Sequence, residues 1–184
     1  MGEDDRELQN SNVILIGYRC TGKTSIGKVL AESLSLPFID TDALVEKAIG
    51  TTIREMIEDR GWDFFRQQEK EAIGNLTGTG KSVIATGGGA VLDKDNAAFL
   101  KKHGFLIWLA ADAKTIRERM LADPATVAQR PRFSREDLAV EVRSTLATRE
   151  PVYRCLADLT IDTTAMAVEA CADRIKAFLK QKYE

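Results

Sequence analysis

Eight consecutive residues carry the strongest chemical signal in the chain: Gly17, Tyr18, Arg19, Cys20, Thr21, Gly22, Lys23 and Thr24. Their order satisfies G-x-x-x-x-G-K-[ST], a loop whose backbone amides wrap a phosphate at the start of a helix. The chemistry implied is nucleoside triphosphate binding, with ATP and Mg2+ as the expected cofactors. Lys23 should reach the β- and γ-phosphates, and the Thr24 hydroxyl should serve the magnesium ion. Gly17, Arg19, Cys20, Thr21, Gly22, Lys23, Thr24 and Ser25 are the candidate nucleotide contacts. A thiol at a helix N-terminus is acidified. Cys20 is therefore expected to be alkylated readily and shielded by nucleotide, the alternative being a small residue tolerated in the loop.

Three further groups fit phosphoryl transfer. Asp40 and Asp42, one residue apart, should point the same way if the chain there is extended. Asp40 suits magnesium, directly or through one of the waters that ion keeps, and Asp42 suits an attacking hydroxyl. The competing reading makes one of them the cap of a helix beginning near Ala43. Gly87-Gly88-Gly89 at a strand end lets backbone approach a ligand closely. Among the arginines, Arg66 has Glu69 three residues on, an arrangement that can present a guanidinium to a substrate carboxylate; a solvated ion pair is the plainer reading. Arg130 and Arg132 stand in a loop able to close over ATP. Arg149 precedes Pro151, where a broken helix would aim it into the cleft. His103, beside Gly104, reads as a helix-end residue, and Trp62 and Trp108 as packing.

The elements that must position these groups follow from periodicity. Asn12–Ile16 is an apolar, β-branched run before the phosphate loop, and Ile26, Val29, Leu30 and Leu34 follow at helical spacing. Short strands are expected at 36–39, 81–86, 105–109 and 159–162. Helices are expected at 44–49, closed by Gly50, and from a Thr52–Glu55 capping box to Gly61. Others should run over 63–76 and 96–103. Asp112 should cap a helix through Ile116 and Met120, and Ser134 a helix interrupted at Pro151. The last helix should bury Met166, Ile175, Phe178 and Leu179. Strands alternating with helices imply an α/β, three-layer fold with a parallel sheet covered on both faces. Ligands then bind beyond the carboxyl ends of the strands, where the three clusters would converge.

Composition bounds the rest. The 184 residues, 44% apolar and 29% charged, suit one globular domain with a sizeable core. A net charge of -2 supplies no basic field for nucleic acid, and no stretch has the length of a membrane span. Residues 1–11 read as a disordered tail and 12–184 as one kinase domain. With no targeting segment read, a cytoplasmic location is the expectation. Cys20, Cys155 and Cys171 form no metal or disulfide pattern, so the last two read as core residues.

Taken together these residues resemble shikimate kinase. The likeness rests on Gly17-x-x-x-x-Gly22-Lys23-Thr24, Asp40-Thr41-Asp42, Phe65-Arg66-x-x-Glu69, Gly87-Gly88-Gly89, Arg130-Pro131 and Arg149-x-Pro151-x-Tyr153. The resemblance implies a nucleoside-monophosphate-kinase-like fold with sheet order 2-3-1-4-5, and transfer of the ATP γ-phosphate to the 3-hydroxyl of shikimate. It implies that Asp42 holds that hydroxyl and that Arg66 and Arg149 bind the carboxylate. Phe65, Gly87, Gly88 and Gly89 would line the pocket. Lys23, Asp42 and Arg130 would be catalytic, Arg130 from a lid at about 123–135, with Arg119 on the adenine side and Thr24 and Asp40 for magnesium. It also implies a monomer. Two departures stand out: Cys20 replaces a middle glycine, and Arg132-Phe133 replaces leucines. The rivals are a kinase for gluconate or a nucleotide, and a nucleotide-sensing module without turnover.

Overall fold

A computed structural model describes residues 11–76, 80–122 and 137–183. Five parallel strands lie in the order β2-β3-β1-β4-β5, as the resemblance implies. They are β1 (Asn12–Ile16), β2 (Phe38–Asp40), β3 (Val83–Ala85), β4 (Gly104–Ala110) and β5 (Leu159–Asp162). Seven α-helices are described: α1 (Lys23–Leu34), α2 (Thr41–Ile49), α3 (Ile53–Gly74), α4 (Lys94–His103), α5 (Ala113–Ala122), α6 (Leu138–Leu156) and α7 (Val168–Tyr183).

The unbroken apolar run of β1 has a simple cause. Side chains alternate across a strand, and both faces of this one are covered. Val13 and Leu15 pack with Ile26 and Leu30 of α1 and Ile175 and Leu179 of α7. Ile14 and Ile16 pack on the other face with Ile73 of α3, Leu100 of α4 and Tyr153 of α6. Each such side chain, fully buried, contributes about 1.5–3 kcal/mol. Asn12 fixes where β1 starts. Its amide accepts from Ser82 N at 3.0 Å and donates to the His103 carbonyl at 3.0 Å, clamping the strand to both neighbours.

Several local expectations hold. Gly50 closes α2 in the left-handed region, and Thr52 and Glu55 form the capping box of α3. Asp112 accepts from Thr115 N ahead of α5. At Gly61, with φ 84° and ψ 171°, two helical segments meet at a kink within α3, so the helix that opens at Thr52 ends there as expected. Others need correction. Asp137 caps α6, accepting from Ala139 N, and Ser134 lies outside the described residues. Pro151 does not interrupt α6, which continues to Leu156. Cys171 is buried as expected, whereas Cys155 is exposed. Met166 packs against the core from just ahead of α7. The tail expected up to residue 11 lies outside the described residues but for Ser11, and the lid at 123–135 lies outside them entirely. No described helix is long and apolar enough to cross a membrane.

Candidate active site

Parallel register brings the three clusters to one edge. Leu15 pairs with Ala85, and Ala85 with Asp40. The loops after β1, β2 and β3 therefore leave the sheet at the same level. Two bonds fix the glycine triplet there: Thr86 N donates to the Leu15 carbonyl at 3.1 Å, and Gly87 N to Thr41 Oγ1 at 3.0 Å.

The phosphate loop has the shape that its sequence requires. Gly17 holds φ 137°, and a Cβ there would run into the Leu109 carbonyl. Gly22 precedes α1 at φ 92°, and neither a side-chain cap nor an acidic first-turn residue meets the first amides of that helix. Such an end attracts an anion. Lys23 Nζ donates to the carbonyls of Gly17 at 2.8 Å and Tyr18 at 2.7 Å. Cys20, half-buried, is held at φ 61°, a conformation that costs a residue with a side chain roughly 1–2 kcal/mol. Its carbonyl accepts from Arg119, whose guanidinium also donates to the Thr163 carbonyl at 2.6 Å.

Asp40 and Asp42 reach the cleft differently from expectation. The extended chain stops at Asp40, and α2 begins at Thr41, so Asp42 lies in the first turn of a helix. Asp40 is the cap, accepting from Asp42 N at 3.1 Å. Its other oxygen accepts from Thr24 Oγ1 at 3.0 Å. Capping and a role in the site thus coexist in Asp40. Thr24 and Asp40 together offer a hard-oxygen pair suited to magnesium, which takes one or two carboxylates and leaves the remaining places to phosphate and water. Among the described residues, no group of three or more acidic, cysteine or histidine side chains forms a metal centre.

Two cavities meet here. The larger, about 620 Å³, is lined by residues 19–26, by Asp40 and Asp42, and by Arg119 and Thr163. The smaller, about 20 Å³, is walled by Tyr18, Arg19, Asp42, Ile53, Trp62, Phe65, Arg66, Glu69, Gly88, Gly89 and Arg149. That room holds a water, not a six-membered ring, so a half-buried wall residue such as Trp62 must swing aside when a ring enters. Arg19, Asp42 and Ile53 line both cavities.

The glycine triplet provides room rather than unusual dihedrals. A Cβ at Gly87 would strike Glu69 Oε1 and lie 2.8 Å from Asp42 Oδ1. One at Gly88 would touch Arg19 N at 3.4 Å, and one at Gly89 would sit 2.6 Å from Arg66 Nη2. Each glycine admits a different group. Arg66 pairs with Glu69, which is buried. Burial pushes the Glu69 carboxyl up, and the Arg66 guanidinium opposes that shift. Arg149, also buried, donates from Nη1 to the Gly88 carbonyl at 3.1 Å, and the Tyr153 hydroxyl donates to the same oxygen at 2.5 Å. Burial raises the Tyr153 pKa to about 12, so it remains a neutral donor.

Of the residues expected from sequence, those of the phosphate loop, Asp40, Asp42, Phe65, Arg66, Gly87 to Gly89, Arg119 and Arg149 come together at this edge. Arg130 lies outside the described residues. Trp62, expected only to pack, lines the smaller cavity beneath Arg66, whose guanidinium carbon is 5.5 Å from the indole centroid. Trp108 is core, and His103 bonds the Phe99 carbonyl away from the cleft. Sequence reasoning missed Glu141, which pairs with Arg19 at 2.5 Å across 122 positions. No local pattern could have revealed that pair.

Comparison with known proteins gives a consistent answer. The family model described as shikimate kinase matches residues 19–180. A shikimate kinase from Syntrophus aciditrophicus is 45% identical, over 97% of this chain and 96% of the relative. Shikimate kinase 2 from Yersinia enterocolitica is 41% identical, over 83% and 86%. The solved shikimate kinase from Acinetobacter baumannii, in complex with shikimate, superposes with a TM-score of 0.88 at 32% identity, over 97% of this chain and 98% of the other.

Proposed function

The chain belongs to the shikimate kinase family, and from that premise we propose how its residues move the γ-phosphate of ATP to the 3-hydroxyl of shikimate. The observation that carries the assignment is the smaller cavity. Two guanidiniums, Arg66 and Arg149, face it, it abuts the phosphate loop, and Asp42 stands in the wall common to both cavities.

The triphosphate lies along the amides of residues 19–25, with its charge on the N-terminal end of α1. Lys23 exchanges a carbonyl for a phosphate oxygen. Thr24 and Asp40 would hold magnesium, which when bound neutralises charge on the phosphate oxygens. Arg66, steadied by Glu69, and Arg149 grip the carboxylate of shikimate, and Gly88 and Gly89 leave space for the ring. The 3-hydroxyl oxygen bonds to the γ-phosphorus. The bond from that phosphorus to the bridging oxygen breaks, and its electron pair leaves on ADP. Asp42 accepts the hydroxyl hydrogen bond and then the proton, which passes to water. Because the transition state is loose, Asp42 acts more by orienting the hydroxyl than by early deprotonation. Arg119 supports the loop beneath the adenine side. Arg130 is assigned to the triphosphate by its match to the family motif. The same reading, carried by the family resemblance, makes the enzyme a cytoplasmic monomer. Sedimentation and cell fractionation check those two points.

The carboxylate reading is tested with shikimate methyl ester, which keeps the ring and hydroxyls but lacks the charge. The expected kcat/KM is at least about 10²-fold below that of shikimate, two charge-assisted contacts being weakened. Equal rates would remove Arg66 and Arg149 from carboxylate binding.

A further inference from the structure

Arg19 and Glu141 form a buried pair in the wall between the two cavities. Arg19 is 9% exposed and the Glu141 side chain 2%, with Nη2 and Oε1 2.5 Å apart. A buried ion pair is weak evidence for stability, because desolvation offsets the attraction. Its place is more informative than its strength. Arg19 is one of three residues lining both the nucleotide cleft and the acceptor pocket. A phosphoryl group passing from one to the other crosses there. A Cβ added at Gly88 would lie 3.4 Å from Arg19 N, so the glycine stands close against the Arg19 backbone.

Glu141 is built to aim this side chain. It projects from the first turn of α6, its Oε1 accepts from Arg19, and its buried Oε2 has no hydrogen-bond partner. About two turns further along α6, Arg149 holds the Gly88 carbonyl. One rigid helix therefore sets both the Arg19 guanidinium and an acceptor-binding guanidinium.

We infer that Arg19 is a further catalytic residue, touching the phosphoryl group as it passes between ADP and the acceptor oxygen, and that Glu141 is its positioning residue. Arg19 forms no covalent bond; the bonds made and broken are those of the transfer described above, and its charge stabilises the equatorial oxygens. The inference rests on that transfer being the reaction.

The competing explanation is a strut that only ties the phosphate loop to α6. The double variant R19M/E141M separates the two, because removing both charges leaves no buried ion unpaired. Expected are an ADP affinity and a shikimate KM within about threefold of wild type, with kcat at least about 10²-fold lower. A kcat within threefold of wild type in a folded double variant would overturn the catalytic role. If the double variant does not fold, Arg19→Lys keeps the charge but loses the fork. Its kcat should fall at least about tenfold with KM values unchanged, and an unchanged kcat would overturn the role. Glu141→Gln alone should lower kcat about tenfold, and should lower it no further in an Arg19→Met background, as coupled sites require. Additive losses would overturn the positioning role. Wild-type enzyme assayed alongside distinguishes the levels: no ADP release with shikimate would sink the reaction and the inference together, while normal release with undisturbed variants would sink the inference alone.

Discussion

Replacing Gly89 with alanine should damage acceptor binding while leaving the fold and the nucleotide site intact. Gly89 has φ -108° and ψ -4°, which alanine adopts without strain. The new Cβ would lie 2.6 Å from Arg66 Nη2 and 2.8 Å from both Cζ and Nη1. Ordinary contact needs about 3.4 Å or more, so the guanidinium must retreat by roughly 0.8 Å. It cannot do so without cost to its partners, since it pairs with Glu69 and lies over the rings of Phe65 and Trp62 at 4.9 and 5.5 Å. A misplaced charge-assisted hydrogen bond costs about 1.5–3 kcal/mol, equivalent to about 10- to 150-fold in KM for shikimate. Steady-state kinetics with each substrate varied, alongside thermal melting, checks this. The KM for ATP should stay within twofold. A folded Gly89→Ala enzyme with wild-type KM for shikimate would show that Arg66 does not hold the acceptor. Equal rises in both KM values would show that the triplet supports the nucleotide instead.

Asp42→Asn keeps the shape but not the charge, and should lower kcat by about 10² or more while ATP affinity changes little; unchanged turnover would remove Asp42 from the mechanism. Cys20→Gly should relieve the left-handed strain at φ 61°. The gain, offset by glycine's chain entropy, is about 0.5–1 kcal/mol, read as a melting point about 1–3 °C higher; a lower one would refute the strain. Tyr153 should make the protein alkali-sensitive. Burial pushes its pKa up to about 12, above the ordinary tyrosine value of about 10, so the unfolded chain loses the proton first. The contribution is fully present below pH 10 and is lost as pH rises towards 12, up to about 3 kcal/mol. Denaturant titrations of wild type against Tyr153→Phe should converge over that window, and a constant difference would contradict it.

How far the sequence anticipates this site depends on how local each signal is. The phosphate loop is contiguous, and β1 advertises its two-sided burial through four apolar residues, so both were legible. Sheet order was legible only through the resemblance, because no short-range pattern says that β3 lies between β1 and β2. The break expected at Pro151 follows from its missing N–H, yet Arg149 and Tyr153 on either side grip one carbonyl, that of Gly88. Those tertiary bonds hold α6 together across the proline. Asp42 was expected on extended chain because the pattern D-x-D does not say where a strand becomes a helix; the Asp40 cap starts the helix at Thr41, two residues before Ala43. The Arg19–Glu141 pair was invisible, since neither residue has a sequence neighbour that points to the other. Trp62 was assigned to packing because an aromatic on a helix gives no hint of which cavity it overlooks.

The central claim, transfer from ATP to shikimate at the junction of the two cavities, is tested most directly by one acceptor panel. ADP release would be followed with magnesium and ATP in the presence of shikimate, gluconate, quinate or a nucleoside monophosphate, and the product identified by phosphorus NMR. The account predicts release with shikimate alone and a single phosphate ester at the 3-oxygen. Release with another acceptor, an ester at another oxygen, or nucleotide binding without any turnover would contradict it.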